Sequence, residues 1–349
     1  MGDAAACSCR DGGNVSSGTG TAPAWTWAGP DIRRSFQDVL KGDPLRELRP
    51  GQNEAFRGFG IFTAELYLNA DFDWVTLFAG KIMPTFGLLW DHHRAWGLFS
   101  VDFTEDYETL DFIGAGFALR GDFQDAGAGR HELTVQTFVA DTTFLHRSII
   151  TAPRAGGSTV ERASRLDKSD GGPGNTENLN NFSATLDSTG FDLLPDLGVH
   201  LGYRFLHRGR TESRHEHGFS VAFDYTAKVQ DVILPGTTTI QPAVEWVRSR
   251  NADGQPGRAT WWAANIIVSN GPWTWHLTGT LRNLEAPDAP DARDRLLATS
   301  LFYRLHPRWQ LGAGYKYQRV RDEESGRSAH DHVVGIKLMW NHDFAFGLN

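Results

Sequence analysis

The sequence predicts an all-β protein, a transmembrane antiparallel β-barrel, and three observations lead there. Thirteen short segments alternate apolar with small or polar residues at period two, and the connections between them alternate tight and long. No run approaches the roughly 18 consecutive apolar residues of a spanning helix. In Val199, Leu201, Tyr203 and Phe205 against His200, Gly202 and Arg204, one face is greasy and the other can line water. A sheet with a different solvent on each face, one of them lipid, has this pattern.

Residues 1–55 show little alternation and read as an irregular segment with a short helix near Ser35 to Leu40 and at most one strand, around Trp25 and Trp27. The barrel is assigned to 56–349. Strands are expected near 56–68, 74–82, 109–120, 131–140, 179–187, 197–206 and 217–226, then near 238–247, 259–268, 273–283, 294–304, 309–318 and 331–340. Each is close to the 9 to 11 residues, roughly, that a tilted strand needs to cross the hydrocarbon layer. Gly, Pro and Asn chemistry marks tight turns at Asn69 to Asp73, Asn270-Gly271-Pro272 and His306-Pro307-Arg308. Longer polar links fall at 83–108, 142–178, 207–216, 248–258, 284–293 and 319–330.

Strand parity follows. The first and last of the thirteen strands run the same way, whereas bacterial single-chain barrels have an even count with short turns at the periplasmic rim. An odd number of further strands is expected ahead of 56, giving fourteen or sixteen in all. With no export signal visible, the expectation is that the given chain starts inside the natural protein and that residues 1–55 are foreign to the barrel.

Composition narrows the function classes. The chain has 349 residues, 38 Gly, 22 Phe and 12 Trp, with a mean hydropathy of -0.38, which excludes a helical membrane protein. A formal charge of -8 argues against nucleic acid as a partner, since phosphate binding needs concentrated Lys and Arg. Cys7 and Cys9, the two cysteines, are too close in sequence to brace a core. Met1-Gly2 lacks the Ser or Thr at position 6 of a myristoylation signal. His215-Glu216-His217 and His330-Asp331-His332 have a chelating spacing without a third ligand nearby, so no metal is assigned. No cofactor is implied, no catalytic signature or residue is found, and the chain is expected not to be an enzyme. Trp74, Trp246, Trp261, Trp273, Trp309 and Trp340 lie at or near strand ends, where their rings are expected to form interfacial girdles.

Gly80-Lys81-Ile82-Met83-Pro84-Thr85-Phe86-Gly87, followed by Trp90-Asp91, resembles the G-K-x-x-P-x-F-G segment of bacterial outer-membrane porin families. These include the phosphate-selective type and a related porin-like group. The acidic run Asp102 to Glu108 is similar to the segment that follows it in the porin-like group. Ala140 to Leu145 and Ser169 to Glu177 extend the likeness, which covers roughly residues 56 to 346. His92 and His93 after Asp91 depart from the pattern, as does the tail Phe344 to Asn349.

The resemblance implies an outer-membrane, water-filled channel for passive diffusion of small hydrophilic solutes or ions, surrounded by outer-membrane lipid and assembled as a homotrimer. It also favours sixteen strands, because 83–108 would then be the inward-folded loop between the fifth and sixth strands. The segment around Asp91, His92, His93, Asp102, Glu105 and Asp106 is the expected constriction. Lumen-facing positions that could form its basic wall are Lys81, Arg120, Arg204, Arg282, Arg304, Lys316 and Lys337, with Glu245 opposing. Loop carboxylates facing such a wall would set a transverse field across the water path. The alternatives are a closed outer-membrane barrel acting as adhesin or enzyme, or a soluble carbohydrate-binding β-protein.

Overall fold

Period-two alternation becomes one antiparallel sheet in the computed structural model. It describes residues 31–42, 59–91, 97–99, 103–148, 150–152, 166–231, 235–287, 289–321 and 327–340. The strands are β1 Asp31–Gly42, β2 Phe59–Phe72, β3 Val75–Ile82, β4 Phe112–Phe123, β5 Gly129–Ala140, β6 Ile150–Ala152, β7 Asn181–Thr189 and β8 Leu197–Leu206. They continue as β9 Glu216–Tyr225, β10 Ala227–Gln230, β11 Thr237–Arg250, β12 Arg258–Asn270, β13 Trp273–Ala286, β14 Ala289–His306, β15 Trp309–Arg321 and β16 Ser328–Trp340. Fourteen of them pair in sequence order, with short β6 added to β2 and short β10 to β11. All thirteen segments expected from alternation are strands, and β1 supplies the fourteenth.

Three local expectations are corrected. The helix expected near Ser35 to Leu40 is instead the middle of β1, which pairs with β2 throughout its length across one bulge. The loop expected at 284–293 shrinks to a tight connection, because β13 and β14 continue their ladder to Ala286 and Ala289. Trp261, expected in a girdle, points inward and is 3% exposed, while its neighbour Trp262 faces out at 50%. The expected strand around Trp25 and Trp27 lies outside the described residues.

Two rims differ in length. Asp73-Trp74, Gly271-Pro272 and Pro307-Arg308 are two-residue turns at one rim, and the two longest links, 83–111 and 141–180, cross the other, which also carries the tight β13–β14 connection. Short turns mark the periplasmic side and long loops the outside.

The outward face is apolar. Leu66, Leu68, Leu77, Leu133, Leu201, Phe219, Phe223, Val244, Ile266, Leu281, Leu297, Leu301, Leu311, Val334, Ile336 and Leu338 are all exposed, which no water-soluble surface sustains over so large an area. This is a lipid belt. Trp74, Trp273 and Trp309 are exposed beside the short turns, where amphipathic rings meet headgroups. The inward face carries the small and polar residues Thr63, Thr134, Gln136, Thr185, Ser220, Asn265, Thr278 and Ser300. The main hydrophobic cluster sits on this inward side as well, and a segment between β3 and β4 supplies four of its nine buried residues.

Candidate functional site

After Ile82 the chain leaves the wall and enters the barrel. Pro84 ends the ladder, and one helical turn, α1 Leu88–Asp91, follows. The segment then returns through a 3-10 turn at Glu105–Tyr107 to the start of β4. Its side chains reach strands far apart in the sheet. Thr85 bonds Gln136 of β5 and Thr185 of β7, the Leu98 N–H donates to Ser300 of β14, and Trp261 of β12 donates to Asp106. One short segment can touch all of these only if the sheet curls around it.

Glu245 on β11 is the anchor. Its fully buried carboxylate accepts from the N–H groups of Leu88 at 2.6 Å and Leu89 at 3.2 Å, from the Tyr107 hydroxyl at 2.7 Å and from Ser220 at 3.0 Å. These bonds satisfy two N–H groups at the start of α1, which have no partner within the turn. Phe86, Phe99, Phe103 and Tyr107 pack on Val247, Ala259, Trp261, Leu296 and Ala298. Each such ring contributes roughly 1.5–3 kcal/mol by burial. The wall makes room with glycine. A Cβ on Gly202 would overlap the Phe86 carbonyl oxygen, and one on Gly335 would lie within 2.7 Å of the Phe99 ring.

The sequence pointed to loop carboxylates opposite a basic wall, and the structure brings mainly aromatic rings there. The Arg204 guanidinium lies 4.5 Å from the Phe86 ring centre, Arg282 lies 4.5 Å from that of Phe103, and the Lys316 ammonium 5.7 Å from that of Phe99. Such contacts contribute about 0.5–2 kcal/mol each, more when desolvated. One expected pair across the lumen is present: Arg282 donates to Asp106 at 2.7 Å and, on its other edge, to Asp294 at 2.7 Å. Arg204 pairs with buried Glu216 and donates to the Tyr107 carbonyl at 2.7 Å and the Thr109 hydroxyl at 2.9 Å.

Lys81, the lysine of the G-K-x-x-P-x-F-G segment, is fully buried. It reaches Asp141 at 2.9 Å, Asp111 at 3.2 Å and the Leu145 carbonyl at 3.0 Å. Two of the sequence motifs therefore meet, the second being Ala140 to Leu145. Near the short-turn rim, inward-facing Arg120 is 41% exposed and bridges Asp71 and Glu132 at 2.9 Å each. Arg304 at the same rim donates to the Gly271 carbonyl, and Lys337 is half-buried on the inward face of β16. Glu105 is exposed. Asp91 closes α1, while His92, His93 and Asp102 lie outside the described residues.

Several participants were missed in the sequence. Glu216, Asp294, Asp111 and Asp141 neutralise the basic wall, and His200 sits 2.8 Å from Asp187 and 2.9 Å from the Phe86 carbonyl. Register gives part of the missing signal, since Arg282 lies directly opposite Asp294, Arg120 opposite Glu132 and His200 opposite Asp187. Above the lumen, Glu212 ties two long loops together. Burial alone would push its carboxyl up, but hydrogen bonds from the Thr211 hydroxyl and the Gly172 N–H outweigh this and hold it below the usual range. His215 is held below the usual imidazole range by burial, then by His207, Arg208 and His217. Among the described residues no group of three or more His, Cys, Asp or Glu side chains could hold a metal.

No protein-family model matches the chain, and no curated protein matches it in sequence. Solved structures do resemble it. The outer membrane channel DcaP of Acinetobacter baumannii is 10% identical with a TM-score of 0.50, over 89% of this chain and 81% of that one. OmpT, an outer membrane protein of Vibrio cholerae, is 11% identical over 90% of both chains with a TM-score of 0.47. A porin structure is 10% identical over 88% of this chain and 99% of that one, with a TM-score of 0.40.

At such identities the likeness is one of fold. Together with the lipid belt it identifies a bacterial outer-membrane β-barrel, without singling out the phosphate-selective type. One expectation is corrected. The exclusion of an enzyme does not survive the likeness to OmpT beside a channel and a porin, because a shared barrel wall does not decide between passage and catalysis.

Proposed function

We propose that this barrel is a porin-like channel through which small hydrophilic solutes or ions diffuse passively, with the segment from Met83 to Asp111 narrowing the path. The inward course of that segment, fixed on Glu245, carries the reading. A plug held by the wall sets the radius of whatever passage it leaves, and the charges along it, Asp106 with Arg282 and Asp294, set the field there. The half-exposed cluster of Arg120, Asp71 and Glu132 provides a wetted vestibule below. DcaP, whose fold this chain resembles, is described as an outer membrane channel.

Planar-bilayer recording tests the proposal. The purified, folded barrel should insert with discrete conductance steps, and Asp106→Asn should shift the reversal potential in a salt gradient toward anion preference. A barrel that inserts, migrates as a folded species on unheated gels and yet gives no steps overturns the reading.

A further inference from the structure

We propose that the outer surface of β11, β12, β14 and β15, just above the lipid belt on the long-loop side, binds the phosphorylated glycolipid of the outer leaflet. Arg248 and Arg250 of β11, Arg258 of β12, Arg293 and Arg295 of β14 and Arg319 of β15 are all exposed. Alternation puts each on the outward face shared with Val244, Trp262, Leu297 and Leu311. They stand about ten to thirteen residues above the short-turn ends of their strands. That is the distance, roughly 9–11 residues, at which a tilted strand leaves the hydrocarbon. The arginines therefore ring the headgroup level.

Two features call for an anion there. Arg250 lies directly opposite Arg258, and Arg295 directly opposite Arg319, although like charges in register destabilise a sheet. Among the described residues, the side chains of Arg248, Arg250, Arg258, Arg293 and Arg295 make no ion pair or hydrogen bond, and that of Arg319 reaches only Ser328 at 3.1 Å. Of the carboxylates on this face, Glu285 stands opposite Arg258 in the β12–β13 register without closing an ion pair, and Asp291 closes none with these arginines. A groove of about 280 Å³ lined by Leu281, Asn283, Glu285, Arg293 and Arg295 joins this charge to the apolar belt beneath. An amphiphile with phosphates above acyl chains fits both halves, and planar guanidinium forks suit phosphate oxygens.

The test titrates the full chain, folded in detergent, with bisphosphorylated lipid A, with its dephosphorylated form and with inorganic phosphate, and counts retained ligand by native mass spectrometry. Wild-type protein should retain bisphosphorylated lipid A in a salt-dependent manner. The pairs Arg250→Gln with Arg258→Gln, and Arg295→Gln with Arg319→Gln, should each lose on the order of tenfold in affinity. Either pair suffices should the other not fold, and heat-dependent gel migration reports folding. Equal retention by the variants, equal retention of dephosphorylated lipid A, or full competition by inorganic phosphate at matching concentration would overturn the proposal.

Discussion

Glu245 shows how much one side chain can hold. Its carboxylate closes four hydrogen bonds, three of them to the inward segment, in a place water does not reach. Glu245→Ala strands the Leu88 and Leu89 N–H groups and the Tyr107 hydroxyl, a loss of about 3 kcal/mol or more. The expected outcome is a lower midpoint for the heat-induced gel shift, together with faster proteolysis between Met83 and Asp111. Glu245→Gln keeps the shape and should fall between the two.

Glu212 gives a pH dependence of defined sign. Because hydrogen bonds depress its folded-state pKa, the stability it contributes is present above the unfolded carboxylate range and lost as pH falls through the depressed value. Glu212→Gln should therefore melt below wild type at neutral pH, and the gap should close in acid. A constant gap across that range would disprove the linkage. Glu245 was legible in the sequence as an inward acidic residue; its role was not, because hydrogen bonds to backbone N–H groups leave no trace in residue types.

Among the elements, the strands were the most readable. Period two is a property of each segment alone, so all thirteen appear with ends displaced by a few residues. β1 escaped because Asp31 to Gly42 alternates weakly, and its strand character comes from pairing with β2. The resemblance places the inward segment, and the sequence shows only part of its chemistry, the Asp106–Arg282 pair. Its carboxylates stood out in the sequence, whereas Phe86, Phe99 and Phe103 looked ordinary, and these are the groups that meet the wall cations. Gly202→Val tests the seat of this element, since the added side chain collides with the backbone at Phe86. The overlap is with backbone, which yields less readily than a flexible side chain. A cost of about 1–3 kcal/mol is expected, with conductance noise in bilayers as the segment loosens.

For the molecule as a whole, the belt decides where the chain can live. Leu301, 46% exposed near mid-depth on β14, should tolerate Arg poorly: about 2–4 kcal/mol is expected at the bilayer midplane, measured as loss of reversible folding into lipid vesicles. The Leu98 N–H meets Ser300, 202 residues later in the chain, and the Leu98 and Phe99 side chains rest against Gly335 on the final strand. Contacts of such long range form slowly. A nascent sheet that has not yet gathered β14 to β16 therefore still shows bare rings to the chaperones of the periplasm. Only the arrival of those last strands gives Leu98 and Phe99 their seat.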